Sequence, residues 1–172
     1  MIILRVLIKG NYLESSDIMN DVVKKLITLN KTISTMESCT GGSVVDAITN
    51  VEGASDILKF SAITYSNEFK IMMGVSEEII SKYSVYSNET AHEMSKNISL
   101  FTNSNYGIGV TGKFNRIDKN NLIGDDSTIF ISIYDRDNDL YYDLKLEAIY
   151  SSRKENKEYI VNEISKKLLT IL

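Results

Sequence analysis

Apolar and polar positions along the chain change period several times, and those changes mark out its elements. Residues Ile2 to Ile8 are a short apolar run with one arginine, read as a strand. Ser16 or Asp17 then offers a cap for a helix whose apolar face is Ile18, Val22, Leu26 and Leu29. A β-type run, Lys31 to Met36, leads into Glu37-Ser38-Cys39-Thr40-Gly41-Gly42, and a helical pattern follows to Thr49 with Val44, Val45 and Ile48 on its inner side. Val51 to Ser55 reads as a loop and Ile57 to Tyr65 as a strand. Ser66 opens a short helix over Asn67 to Met73, stopped by Gly74. Ser76 caps another to Tyr83, and Ser87 a longer one facing inward through Ala91, Met94, Ile98 and Phe101.

The second half pairs strands. Tyr106 to Thr111 is a glycine-dense strand, and Lys113 to Asp126 a polar loop. Ser127 to Tyr134 and Leu140 to Tyr150 form a hairpin through Asp135-Arg136-Asp137-Asn138-Asp139. In the second of these, Leu140, Tyr142, Leu144, Leu146 and Ala148 alternate with polar positions, so one face is buried and the other wet. A final helix, Lys154 to Leu169, buries Ile160, Val161, Ile164 and Leu168. Strands alternate with helices early and pair as a hairpin late. This predicts an α/β fold, a three-layer α/β/α domain with a mixed sheet that includes a C-terminal β-hairpin.

Composition narrows the picture. The 172 residues suit a single domain over 1–172, with 1–16 as an N-terminal extension of short strand and turn. Net charge of −4 argues against nonspecific nucleic-acid binding. The single cysteine, Cys39, excludes an internal disulfide, and one histidine beside it makes a His/Cys zinc site a poor fit. The apolar run at the start is too short to span a bilayer and no cleavage-site pattern follows it. No membrane association and a cytoplasmic location are therefore expected. Small α/β proteins with an open sheet edge commonly associate, so a homo-oligomer is expected.

Two stretches carry chemistry. At Ser38 a strand runs through a tight turn into a helix start, where unpaired N–H groups attract negative charge. Thr64-Tyr65-Ser66-Asn67-Glu68-Phe69-Lys70 is a second strand end entering a helix. Helical side chains lean toward the N-terminus, so Lys70 can reach back to the strand's carboxyl edge, where open α/β sheets build their sites. A lysine whose pKa is lowered by burial can activate a serine, and a tyrosine can relay a proton or donate to an oxyanion. Ser38, Lys70 and Tyr65 thus form a candidate Ser–Lys–Tyr group for amide hydrolysis. Against it stand plainer roles: Ser38 as a helix cap, Cys39 as a small buried hydrophobe or itself the nucleophile, His92 as a solvated helix residue. Gly107 to Lys113 fits the spacing of a phosphate-binding loop, but Phe114 stands where its Ser/Thr is required and the run reads as a strand.

Glu37-Ser38-Cys39-Thr40-Gly41-Gly42, then Thr64 to Lys70 and Gly74-Val75, resembles the C-terminal domain family of the competence/damage-inducible protein CinA. That family reads close to A-E-S-C-T-G-G, then Y-S-N-E-A-K with G-V following. Gly53-Ala54-Ser55, Tyr86 to Met94 and Arg153 to Lys157 echo further family patterns, and the resemblance covers roughly Asp17 to Leu172. It implies hydrolysis of the carboxamide of nicotinamide mononucleotide to the acid and ammonia, with no metal or cofactor. It implies catalytic roles for Ser38, Lys70, Tyr65 and Thr111. Contacts to a small-molecule nucleotide substrate would come from Thr40, Gly41, Gly42, Asn67 and Arg153, the last binding a substrate anion. The family's G-I-A-G-P block with a following K-P-V-G is absent: here stand Gly112-Lys113-Phe114-Asn115-Arg116 and Leu122 to Ser127. The loop instead carries cations, Lys113 and Arg116 among them. Loss of that block keeps a second reading open, a non-catalytic binding or assembly protein on the same fold.

Overall fold

A computed structural model describes residues 18–172; the predicted strand Ile2 to Ile8 and the capping residues Ser16 and Asp17 lie outside them. The described chain runs α1 (18–29), β1 (Ile33–Glu37), α2 (Ser43–Thr49), α3 (Ala54–Ile57), β2 (Leu58–Ile63), α4 (Asn67–Met72), α5 (Glu77–Tyr83), α6 (Asn88–Thr102), β3 (Tyr106–Gly112), β4 (Thr128–Asp135), β5 (Leu140–Glu147) and α7 (Arg153–Ile171). The strands form one sheet in the order β2-β1-β3-β4-β5. β1 pairs in parallel with both β2 and β3, while β3–β4 and β4–β5 are antiparallel. The sheet is mixed, as the alternation of helices and then a hairpin requires. Among the described residues no helix is long and apolar enough to cross a membrane.

The period-two alternation of the strands divides the core. Ile33, Ile108, Val110, Ile129, Ile131 and Ile133 point to one face, where Val22, Val23 and Leu26 of α1, Val44 and Ile48 of α2, and Ile160, Ile164 and Leu168 of α7 cover them. Met36 points to the other face and meets Met94 and Ile98 of α6. There β3 presents Gly107 and Gly109. A Cβ added at these positions would lie 2.0 Å from the Ser95 carbonyl oxygen and 2.4 Å from that of Ala91. The glycines let the backbone of α6 rest directly on the sheet.

Several expectations need correction. Leu29 is exposed, because the inner face of α1 runs through Met19, Val22, Val23 and Leu26. Val45 is only half-buried. The loop expected at Val51 to Ser55 contains the start of α3, a single turn too short to show a period. β2 ends at Ile63, leaving Tyr65 beyond the sheet. Phe101 is 70% exposed, its ring meeting Phe60 of the edge strand β2, because the buried stripe of α6 runs on through Ser95 and Ser99 instead. In β5, Leu140 is exposed and its apolar partners half-covered, since this strand forms the outer edge.

Candidate functional site

The three parallel strands deliver their carboxyl ends to one edge of the sheet. Ser38 follows β1, Thr64 follows β2 and Lys113 follows β3. Topology therefore converges the two sequence motifs, and the crevice lies outside these ends, as in other open α/β sheets. Ser38 is fixed by its own N–H, which donates to the Val110 carbonyl at 3.0 Å. Lys70, on α4, reaches back as its helical geometry allows. Its Nζ lies 3.1 Å from Ser38 Oγ and donates to the Thr64 carbonyl at 2.7 Å. The lysine is 1% exposed. Burial pushes its pKa down from an ordinary 10.5 to about 8, against the weaker upward pull of Cys39 and Asp118. An amine so placed spends a sizeable fraction of its time neutral near physiological pH and can accept the Ser38 proton.

Cys39 is not poised for the same task. Burial pushes its thiol up to about 12, outweighing the nearby Lys70 and Arg153 charges, so it stays protonated. His92, the chain's only histidine, sits in the second turn of α6 and does not line the cleft at Ser38; it is paired with Asp143 at 2.8 Å and stacked on Tyr141 at 4.2 Å.

Glu37 plays a part that its place in the motif does not announce. It is fully buried, and its carboxylate accepts the N–H groups of Gly42 and Val44 on Oε2 (3.0 and 3.1 Å) and of Val45 on Oε1 (2.9 Å). Thr35 Oγ1 adds a longer bond at 3.3 Å. The strand's last residue thus caps the helix that follows it, with Gly42 at φ +95° making the fold-back possible. This corrects the expectation for the turn. The Gly42 N–H is taken by Glu37 and the Gly41 N–H by the Ser38 carbonyl at 3.0 Å, so neither is open to a ligand. The N–H groups of Cys39 and Thr40 have no acceptor among the described residues. The Thr40 and Thr64 hydroxyls are buried without a hydrogen-bond partner among the described residues.

Ser38 and Cys39 form the floor of a cleft of about 850 Å³, the range of small-molecule sites. Tyr65, Asn67, Phe69, Tyr86 and Arg153 line it, together with Gly112 to Phe114, Arg116 to Asp118, Asn120 and Asn121. Tyr65 is 65% exposed on the rim and accepts a bond from Arg153 Nη2 at 3.3 Å. Arg153 also lies over the Phe114 ring, 4.8 Å from its centroid. Asn67 donates to Asn121 at 2.8 Å, tying α4 to the loop across the cleft. Thr111 is the predicted residue that stands apart. Its hydroxyl donates to the Val85 carbonyl at 2.9 Å and it does not line the cleft. The cause is strand parity: Val110 faces α1 and α7, so Thr111 faces the segment leading into α6. Its role here is to hold that segment.

The loop wall also holds residues that sequence reasoning passed over. Tyr86 donates to Asp118, which further accepts from Asn121 Nδ2 and the Asn120 N–H. Burial raises the pKa of Asp118, but these donors outweigh it and hold the carboxyl below its ordinary range. Burial, then the bond to Asp118, pushes the Tyr86 phenol well up. Lys113, the final residue of the phosphate-loop-like spacing, is buried and bonded to Asp126 at 2.8 Å, and the run before it is strand β3. Among the described residues no group of three or more His, Cys, Asp or Glu is arranged to hold a metal ion.

A mixed-sheet α/β domain with a serine–lysine pair at the carboxyl ends of its parallel strands defines the class. The chain belongs to the CinA C-terminal domain family, which matches residues 15–170. It is 40% identical to a CinA-like protein of Flavobacterium psychrophilum over 124 residues, 70% of this chain and 29% of that protein. It is 41% identical to a CinA-like protein of Fervidobacterium nodosum over 96 residues, 55% of this chain and 24% of that protein. The chain thus spans less than a third of the length of these curated relatives. Solved structures with the same fold include the competence/damage inducible protein CihA from Agrobacterium tumefaciens, with TM-score 0.81 and 22% identity over 91% of this chain and 94% of that one. A competence-damaged protein (CinA) superfamily protein from Escherichia coli gives TM-score 0.82 and 19% identity over 92% and 90%.

Proposed function

We propose that this domain hydrolyses the carboxamide of a pyridine nucleotide, nicotinamide mononucleotide, to the acid and ammonia. The observation that carries this reading is Lys70 Nζ, buried and 3.1 Å from Ser38 Oγ at the floor of the cleft. Lys70 in its neutral form takes the Ser38 proton as Oγ bonds to the carboxamide carbon. The oxygen that gains charge is met by N–H groups of Cys39 and Thr40, the turn donors that no other residue claims. The C–N bond then breaks, and Lys70 returns the proton to the departing nitrogen, which leaves as ammonia. Water adds to the resulting Ser38 ester and gives a proton to Lys70. The C–Oγ bond breaks, the proton returns to Ser38, and the acid is released. The unpartnered hydroxyls of Thr40 and Thr64 are available to hold that water. Tyr65 and Arg153, bonded to each other on the rim, position the ring end of the substrate.

The test is ammonia release from nicotinamide mononucleotide by wild-type chain and by Ser38→Ala and Lys70→Met variants shown to be folded. Turnover that vanishes in both variants is the expected result; full turnover by Ser38→Ala ends this account. A second reading, a binding or assembly protein without turnover, is favoured by the loop over 113–126, whose Lys113 and Asp118 are already satisfied by neighbours. A nucleotide-induced thermal shift in wild-type chain with no ammonia released would select it.

A further inference from the structure

We propose that Arg116 reads the phosphate of the bound mononucleotide, gripping the end of the ligand opposite its carboxamide. The proposal rests on the cleft being a nucleotide site, as argued above, and adds how this chain recognises the phosphate. Four charged side chains line the cleft: Lys113, Arg116, Asp118 and Arg153. Lys113 is 4% exposed, bonded to Asp126, and its ammonium lies 5.0 Å from the centroid of the Tyr86 ring. Asp118 is held by Tyr86, Asn121 and the Asn120 N–H. Arg153 is fixed between the Phe114 ring and Tyr65 Oη. Arg116 is exposed and makes no hydrogen bond, ion pair or ring contact among the described residues.

A carboxamide is neutral and gives a guanidinium nothing to neutralise, so an unpaired arginine on this wall points to an anionic end of the ligand. The other natural cradle for a phosphate in an α/β crevice is the helix start after the first strand. Here that cradle is closed, because Glu37 already occupies the N–H groups of Gly42, Val44 and Val45. Anion recognition must therefore fall to side chains, and a guanidinium offers phosphate two parallel N–H donors. Arg116 lies in the stretch whose sequence departs most from the family's glycine-rich pattern.

Calorimetric titration of Ser38→Ala chain, with and without Arg116→Ala, against nicotinamide mononucleotide, the matching riboside and inorganic phosphate tests this. Arg116→Ala is expected to weaken nucleotide binding about tenfold or more and riboside binding by less than about twofold. Arg116→Lys should recover part of the loss, and inorganic phosphate should compete with the nucleotide only when Arg116 is present. Nucleotide affinity unchanged within about twofold in Arg116→Ala, or riboside affinity falling as far as nucleotide affinity, overturns the proposal. Failure of the folded parent to bind the nucleotide overturns it as well. Arg116-dependent binding without ammonia release by wild-type chain would sustain this proposal and sink the hydrolytic one. Turnover that ignores Arg116 would do the reverse.

Discussion

The two walls of the cleft are built from different materials. On one side Ser38 and Lys70 are 6% and 1% exposed and anchored to backbone atoms of β3 and the end of β2. On the other, residues 113–127 are held largely by polar side chains: Lys113 to Asp126, Tyr86 to Asp118, Asn67 to Asn121, Ser127 to Asp125. That wall leaves Ile117, Leu122 and Ile123 well exposed. Contacts to strand backbone come with the fold, whereas bonds between surface side chains can be exchanged residue by residue. The difference teaches that the serine–lysine pair is tied to the architecture and the loop wall is an attachment that can change without it.

The sharpest way to break this comparison is at the pair itself. Ser38→Ala should lower ammonia release at least about a thousandfold while leaving the melting temperature nearly unchanged. Equal stability with retained turnover would remove the reacting pair from its side. Next comes Glu37. Replacing it by Ala strips three N–H groups, one fully buried and two partly, of their acceptor, with an expected loss of about 3 kcal/mol and a fall in Tm of roughly 6–12 °C. Glu37→Gln should lose less, since its amide oxygen still accepts, and thermal denaturation would separate the two.

The pH dependence of Lys70 is a smaller and more specific test. With its pKa lowered to about 8, the neutral base is depleted below that pH. The value of kcat/KM should fall about tenfold per pH unit there and level off above. For stability the sign is set by the unfolded lysine, which keeps its ordinary 10.5. Between about 8 and 10.5 the unfolded chain binds more protons, so the Lys70 contribution rises with pH across that window. Below it the buried charge opposes folding. Lys70→Met should therefore lose turnover yet melt at or above wild type at pH 7, and a clear drop in Tm would contradict the burial argument. The smallest expected effect is on the attachment. Asn67→Ala removes one side-chain bond across the cleft and should change stability by about 1 kcal/mol or less, measured by chemical denaturation.

Much of this was legible in the chain. The hairpin was readable because Asp135-Arg136-Asp137-Asn138-Asp139 is turn chemistry between alternating strands; Asp135 indeed accepts the N–H groups of Asp137 and Asn138. Lys70 was readable because helical side chains lean back, which aims a lysine in the first turns at the preceding strand end. Phe101 was misjudged because periodicity tracks apolar residues, whereas the buried stripe of α6 follows the small residues Ser95 and Ser99 that pack on the glycines of β3. Thr111 was misjudged because a family position gives no side-chain direction, and parity sent its hydroxyl to Val85. Glu37 was quoted in the motif, yet its work depends on the chain folding back five to eight residues later, which no local pattern encodes. The loop wall was least legible, since its partners Tyr86 and Asp118 lie 32 positions apart.

β3 has one further consequence. Every residue from Tyr106 to Gly112 is buried, both edges are paired, and α6 presses on its glycines. Its amides have no partial opening through which to meet deuterium, so their exchange follows opening of the whole domain. That strand is therefore a built-in gauge of global stability, against which the exchange of residues 113–127, expected to be faster, can be read in the same spectrum.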